Sequence, residues 1–292
     1  MVKNKPVYAF EEADSKNRML LGGKGAGLSE MTRLKLPVPP GFTITTEVCN
    51  NYYDNGKKLP KDVMPLVMKN IVKMEKKTGK KWNSTKNPLL VSVRSGAAIS
   101  MPGMMDTILN LGLNEKTVEG FAQQTKNPRF SWDSYRRFIQ LFGKVVFGVN
   151  DEKFDHVLDS AKKKQGVKDD SKLNVESLKK IVAEYKKICE KHTKRKFPDT
   201  PNEQLGLAIE AVFKSWMGER AIVYREKNNI TKDIANGTAV NVVTMVFGNM
   251  GDDSATGVVF TRNGHNGKKE MEGEYLINAQ GEDVVAGVRT GK

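Results

Sequence analysis

The chain has 292 residues, 38% of them hydrophobic and 8% aromatic, and its 48 basic and 34 acidic side chains give a formal charge of +14. This composition predicts one large or two modest globular units with real cores, and it excludes a disordered tail. The two cysteines, Cys49 and Cys189, lie too far apart in the sequence for a disulfide scaffold or a C-x-x-C site, so we expect reduced thiols in a cytoplasmic protein.

Neither a secretory signal nor a membrane span is predicted. Residues 1–10 contain no apolar segment of the signal-peptide type, and no run approaches the ~18 apolar residues of a membrane span. The positive charge comes from 37 lysines and only 11 arginines, and the lysines cluster in segments that look like solvated helix faces. Because base readout and bidentate phosphate clamps favour arginine, we expect no nucleic-acid partner and no membrane partner.

Three zones follow one another along the chain. Residues 1–113 alternate strand-like and helix-like pieces between Gly and Pro turns, which predicts an α/β layer. Residues 114–199 contain little glycine and carry apolar residues at helical spacing, which predicts a helical insert, and a further amphipathic helix is predicted over residues 205–216. From residue 239 onward the pattern predicts three strands, at residues 240–246, 257–261 and 275–279.

The first candidate for chemistry is the glycine-rich segment, residues 21–28 (LGGKGAGL). Glycines let backbone N–H groups approach a phosphate, a helix N-terminus favours anions, and Lys24 adds a positive charge. A tight turn with a solvated Lys24 explains the pattern equally well. The segment matches neither the Walker A loop nor the dinucleotide fingerprint, so any nucleotide has to be held in another way.

The second candidate is a strand-like run, residues 89–93, that leads to Arg94 and then to a loop of small residues. An arginine at the carboxyl end of a strand, beside a loop with free amides, suits a triphosphate clamp. The alternative is a structural arginine paired with a surface carboxylate, with Met104 and Met105 in the core. The uncharged Ser, Gly and Met composition of the loop favours the clamp.

The third candidate is residues 273–283, where carboxylates and an amide surround a predicted strand. Such groups suit a ribose, a metal ion or an adenine edge. A solvated edge strand with its turn explains the pattern equally well. His156, His192 and His265 are isolated in the sequence and are assigned no catalytic role.

Several long motifs, in a fixed order, closely resemble the pyruvate, phosphate dikinase family. They are residues 22–28 (GGKGAGL), 37–43 (PVPPGFT), 91–96 (VSVRSG), 100–107 (SMPGMMDT), 127–130 (NPRF), 133–138 (DSYRRF), 244–249 (TMVFGN) and 275–287 (YLINAQGEDVVAG). The resemblance covers almost the whole chain and is weakest between residues 150 and 200. Motifs of this length, in this order, are highly specific.

The resemblance implies a domain of mixed α/β (α+β) class and of ATP-grasp type, with a helical insert. Residues 1–113 and 200–242 are then the first ATP-grasp subdomain, residues 114–199 are the insert, and residues 243–292 are the start of the second, strand-rich subdomain. We expect the chain to end before the last strands of such a domain. We also expect it to lack the phosphohistidine and pyruvate-binding domains of the family's enzymes.

In that family, ATP, pyruvate and phosphate give AMP, phosphoenolpyruvate and diphosphate by way of a phosphohistidine, with Mg²⁺. The resemblance makes Lys24 and Arg94 the catalytic residues and triphosphate ligands of this chain. The other implied nucleotide-binding residues are Gly96, Ser100, Gly103 and Thr107 near the phosphates, Met245, Val246 and Phe247 at the adenine, and Glu274, Gln280 and Glu282 near the ribose and metal. No metal ligand is assigned. We expect the chain to bind ATP without completing the reaction.

Two alternatives stay open. A phosphoenolpyruvate synthase uses a similar domain with water as the acceptor, and a non-catalytic module would dock on full-length subunits without turnover. The expected partners are ATP and the domains absent from this chain, with a second copy of the chain as a further option. Lys186 is expected on a solvated helix face, so its removal should affect ATP binding far less than the removal of Arg94.

Overall fold

The structure is a computed structural model, and it describes residues 4–285, except for the side chains at positions 282 and 285. It is a mixed α/β fold with two sheets. The strands are β1 (Val7–Ala9), β2 (Gly41–Ile44), β3 (Val91–Gly96), β4 (Thr107–Leu111), β5 (Ala239–Thr244), β6 (Ala255–Phe260) and β7 (Glu272–Ile277). The helices are α1 (Arg18–Arg33), α2 (Thr46–Asp54), α3 (Val63–Thr78), α4 (Glu115–Thr125), α5 (Pro128–Phe147), α6 (Asp151–Gln165), α7 (Val175–Thr193), α8 (Pro201–Trp216), α9 (Glu219–Lys227) and α10 (Gly281–Val285).

The larger sheet has five strands in the order β1-β2-β5-β3-β4, and every neighbouring pair is antiparallel. β5 pairs with both β2 and β3, so a strand from late in the chain joins two strands from its beginning. Helices α1 and α8 both pack on this sheet. The smaller sheet is the antiparallel pair β6 and β7, against which α10 packs.

Helices α4 to α7 lie between β4 and α8 along the chain and form one packed group, in which α5 contacts α4, α6 and α7. The sequence marks their starts, because the asparagines at 114, 127, 150 and 174 each accept a hydrogen bond from the first turn of the helix that follows. Helices α5 and α6 end at Gly148 and Gly166, whose φ angles of 70° and 71° suit glycine. Their inner faces are apolar and join the main core, so this group is a continuation of the sheet's core.

Some predicted boundaries differ from the structure. The strand predicted over residues 240–246 ends at Thr244, whose N–H and hydroxyl both donate to the Pro40 carbonyl. The strand predicted over residues 275–279 begins at Glu272 and ends at Ile277, because Asn278 takes a φ of 50°. Arg94 and Gly96 lie inside β3, whereas the sequence placed them after the strand.

The prediction that Lys186 lies on a solvated helix face is wrong. Its side chain is only 14% exposed, and the ammonium pairs with Glu115 at 2.9 Å and with Asp199 at 3.5 Å. The lysine stem spans the gap between the start of α4 and the residues before α8, so it is a structural residue. Lys180, on the same helix, is exposed and is a better control.

Among the described residues, no helix is both long enough and apolar enough to cross a membrane.

Candidate functional site

The glycine-rich segment packs against the end of β3. Gly22 has a φ of 68° and a ψ of 164°, which interrupts α1 and starts a new helical piece after it. A Cβ atom at Gly22 would lie 1.8 Å from the carbonyl oxygen of Gly96, so a side chain there would displace backbone. The Gly23 N–H donates to the Ala97 carbonyl at 2.8 Å. Because these glycines have no side chain, the backbone of the segment can lie directly against the end of β3, which brings the next residue, Lys24, to that strand.

Lys24 and Arg94 are like charges held near each other. Arg94 is half-buried on β3, and the Cβ of Lys24 lies 3.3 Å from where a Cβ at Gly96 would stand. The pKa of Lys24 is lowered to about 8, chiefly because its ammonium group is partly desolvated and further because Arg94 is positive. Part of the lysine side chain remains exposed to solvent, so a ligand can reach it. Two adjacent cations that are open to solvent suit an anion.

Arg94 belongs to a polar row that crosses the whole five-stranded sheet. The paired residues, in strand order, are Tyr8, Thr43, Asn241, Arg94 and Thr107. Thr43 and Asn241 are fully buried, and the Thr43 hydroxyl donates to Oδ1 of Asn241 at 2.9 Å. The sequence analysis missed both residues. A single polar residue within an apolar, β-branched strand, such as Asn241 in β5, was the pattern that could have revealed them.

The loop between β3 and β4 comprises residues 97–106 and begins three residues after Arg94. Its Met101 is 5% exposed and anchors it in the core, whereas Ser100 and Gly103 are exposed. From α9, Arg220 donates to the Gly103 carbonyl at 3.5 Å and lies 3.7 Å from the Asp106 carboxylate. Burial raises the pKa of Asp106, and the positive charge of Arg220 opposes that rise. The loop is thus held by the burial of Met101 and by Arg220, while Ser100 and Gly103 are exposed to solvent.

The three residues assigned to the adenine pocket directly follow β5. Met245 is buried, and its N–H donates to the Leu90 carbonyl at 2.9 Å. The ring of Phe247 packs against Phe121 and Phe130, with ring centroids 5.3 Å and 5.2 Å away. Val246 is 69% exposed, so it is the member of the three that offers its side chain to a ligand.

Glu274 and Gln280 line different cavities. Glu274 is an exposed residue of β7 in an open cavity of about 560 Å³ beside the small sheet. Gln280 is 5% exposed and lines a cavity of about 230 Å³ together with Arg136 and Arg137 of α5. The lining residues of neither cavity include Lys24 or Arg94. The side chain of Glu282 lies outside the described residues.

The described side chains do not form a cluster of three or more metal-ligating groups. Within residues 4–285, no group of three or more His, Cys, Asp or Glu side chains is arranged to hold a metal ion. The acidic groups near Gln280 are instead engaged in ion pairs. Asp133 pairs with Arg136 and Arg137, and Arg137 also lies 3.9 Å from Asp283 in α10.

Comparison with known proteins gives one consistent result. The family model described as "Pyruvate phosphate dikinase, AMP/ATP-binding domain" matches residues 18–63 and 55–291. The chain is 57% identical over 284 residues to a pyruvate, phosphate dikinase of Entamoeba histolytica and 54% identical over 285 residues to one of Clostridium symbiosum. It is 50% identical over 293 residues to the chloroplastic pyruvate, phosphate dikinase 1 of Arabidopsis thaliana.

These alignments cover 97%, 97% and 99% of the chain but only 32%, 32% and 30% of the relatives. The chain therefore spans about a third of the length of the curated relatives that it matches. Because one relative is named as chloroplastic, the cytoplasmic location stays a prediction.

Proposed function

Because the chain belongs to the family of the pyruvate phosphate dikinase AMP/ATP-binding domain, we propose that its glycine-rich segment and β3 together bind the triphosphate of ATP. The observation that carries the proposal is the pair of neighbouring cations, Lys24 and Arg94, whose mutual repulsion contributes to lowering the pKa of Lys24. A bound polyphosphate relieves that repulsion, since each cation then faces negative oxygen atoms.

Lys24 and Arg94 have different chemical roles in this proposal. The Arg94 guanidinium is permanently charged and forked, so it suits two oxygen atoms of one phosphate. The Lys24 ammonium is a compact point charge that neutralises the charge spreading over the phosphoryl oxygens during transfer. Phosphoryl transfer depends mainly on such positioning and neutralisation, so both residues are assigned as catalytic.

The loop after β3 completes the phosphate site in this proposal. The backbone N–H groups from Gly96 to Gly103 and the Ser100 hydroxyl are donors of the kind that cradle phosphate. The exposure of Ser100 and Gly103 supports this role, because their polar groups are accessible from solvent. Thr107 supports it as well, since it pairs in register with Arg94 across β3 and β4.

The remainder of the nucleotide is assigned with the help of the family resemblance. We place the adenine against the segment of Met245, Val246 and Phe247, where exposed Val246 supplies apolar contact. Glu274, Gln280 and Glu282 are assigned to the ribose and its surroundings, which requires the small sheet to approach β3. Mg²⁺ is assigned no protein ligand and no step is routed through it.

We infer an ATP-grasp arrangement from the family resemblance and from the presence of two sheets. In this proposal, the five-stranded sheet, with α8 and α9, is the first subdomain, the group α4 to α7 is the helical insert, and β6, β7 and α10 begin the second subdomain. ATP-grasp folds hold the nucleotide between two such sheets, which agrees with a phosphate site on one sheet and Glu274 on the other.

The full dikinase reaction belongs to proteins about three times as long. We propose that this chain supplies their ATP-binding step and that the phosphohistidine and pyruvate-binding domains supply the rest. The family description and the names of the relatives favour phosphate as the acceptor, as in a dikinase, over water, as in a phosphoenolpyruvate synthase.

Competition between ligands tests the site. A fluorescent ATP analogue bound to the chain should be displaced by inorganic tripolyphosphate and by ATP, and far less by AMP, because the cations recognise the phosphates. Lys24→Ala should weaken tripolyphosphate binding about tenfold or more, since a charge-assisted hydrogen bond contributes about 1.5 to 3 kcal/mol. Lys180→Ala, which removes an exposed lysine of α7, is the matched control. Equal losses in the two variants would remove Lys24 from the site.

A further inference from the structure

A buried asparagine of β5 lies between the two segments that carry Lys24 and Arg94. Asn241 is fully buried and is paired in register with Arg94 on one side and Thr43 on the other. Its Oδ1 accepts the Thr43 hydroxyl at 2.9 Å, but its Nδ2 has no hydrogen-bond partner among the described residues. Buried amide groups are normally paired, so a half-satisfied amide at this place calls for an explanation.

The Asn241 amide separates two glycines. A Cβ atom at Gly25, one residue after Lys24, would lie 2.9 Å from Oδ1 of Asn241. A Cβ atom at Gly96, two residues after Arg94, would lie 2.8 Å from Nδ2. The amide is therefore wedged against the backbone of both segments, and any change in its size moves one segment relative to the other.

A second residue of the same stretch holds the end of β3. The Thr238 hydroxyl, just before β5, accepts the Gly96 N–H at 3.1 Å. Thr238 and Asn241 thus contact Gly96 from β5 and the residue before it, and the Cβ of Lys24 lies beside the same glycine. β5, which carries neither cation, therefore contacts both the Lys24 segment and the end of β3.

Resting on the proposed ATP function, we propose that Asn241 is a positioning residue: its neutral amide fixes the spacing between the Lys24 segment and β3 and keeps negative charge away from the two cations. A carboxylate of the same shape would preserve the acceptor for Thr43. Its negative charge would also partly neutralise Lys24 and Arg94, and so weaken their attraction for a phosphate.

Asn241→Asp tests the charge part of this inference. Calorimetric titration with tripolyphosphate at pH 7.5 should show an affinity at least about tenfold lower than that of the unchanged protein, because a negative charge replaces a neutral group beside both cations. The apparent pKa of Lys24, read from the pH dependence of its acylation by mass spectrometry, should rise above the unchanged protein's value of about 8. Neither result is expected from a purely structural role.

Asn70→Asp is the matched control. Asn70 of α3 is also buried and half-satisfied, because its Nδ2 donates to the Leu66 carbonyl while its Oδ1 has no partner among the described residues. This control should leave both the affinity and the pKa of Lys24 unchanged. If Asn241→Asp does not fold, Asn241→Ala replaces it. Removing the wedge without adding charge should lower the affinity at least about threefold, because small misplacements of binding groups are costly.

The results for the Asn241 variants and for the unchanged protein test the role of Asn241 and the proposed function separately. An unchanged Lys24 pKa and unchanged affinity in Asn241→Asp would overturn the role of Asn241, as would full affinity in Asn241→Ala. Failure of the unchanged protein to bind tripolyphosphate or ATP would overturn the function. The Lys24 pKa needs no ligand, so its rise in Asn241→Asp would still support the placement of Asn241 beside the two cations.

Discussion

Lys24 should make anion binding depend on pH, and Lys24→Arg should remove that dependence. The pKa of Lys24 is about 8 in the free protein, so the ammonium form predominates at pH 7 and is the minor form at pH 9. A bound phosphate returns the pKa toward the ordinary lysine value of about 10.4, because it replaces the repulsion from Arg94 with attraction. The affinity should therefore fall by about tenfold between pH 7 and pH 9. Arginine stays charged throughout this range, so the variant should lack this fall.

The assay is a titration with tripolyphosphate at pH 7, 8 and 9 and constant ionic strength. The ligand also loses protons as the pH rises, which affects both proteins alike, so the ratio of their affinities isolates Lys24. We expect this ratio to change by about tenfold in favour of Lys24→Arg. Parallel pH profiles would refute the reasoning, because they would show that Lys24 either keeps an ordinary pKa or does not meet the anion.

Two further variants test the framework of the site. Gly22→Ala should lower the free energy of unfolding by about 1 to 3 kcal/mol from backbone strain alone, with more from the contact at Gly96, and denaturant unfolding measures it. Asp133→Asn should lower the free energy of unfolding by about 1 to 3 kcal/mol, because it removes the buried partner of Arg136 and Arg137 and leaves them Asp170, whereas the exposed Asp159→Asn should cost far less. Burial opposes ionisation of Asp133, but its two arginines outweigh burial and lower the pKa. Its stabilisation should therefore be complete above about pH 4 and should fade as the pH drops through the lower, folded-state pKa.

Much of the secondary structure was readable from the sequence, because local signals determine it. The helix-start asparagines and the apolar stripe of residues 175–189 mark α4 to α7, and β-branched runs mark β5 and β6. Boundaries were less readable where a long-range contact sets them. β5 pairs with β2 and β3, which lie far from it in the sequence, so local signals do not show where it ends.

The two cations of the candidate site could be predicted from the sequence, whereas the residues that pack around them could not. Lys24 and Arg94 stand beside glycines, which is a visible local pattern, and the fold brings them close to each other. Asn241 could not be found in this way, because its role depends on pairing between strands that are distant in the sequence. Lys186 was misjudged for the same reason, since its carboxylate partners come from other segments.

Residues 4–285 are proposed to assemble a triphosphate site around Lys24 and Arg94. The most direct measurement is a calorimetric titration of the chain with magnesium ATP at physiological salt, alongside Arg94→Ala and Lys180→Ala. We predict saturable 1:1 binding that Arg94→Ala weakens at least about tenfold and Lys180→Ala leaves unchanged. Binding that survives intact in Arg94→Ala, or a folded chain that does not bind at all, would contradict the account.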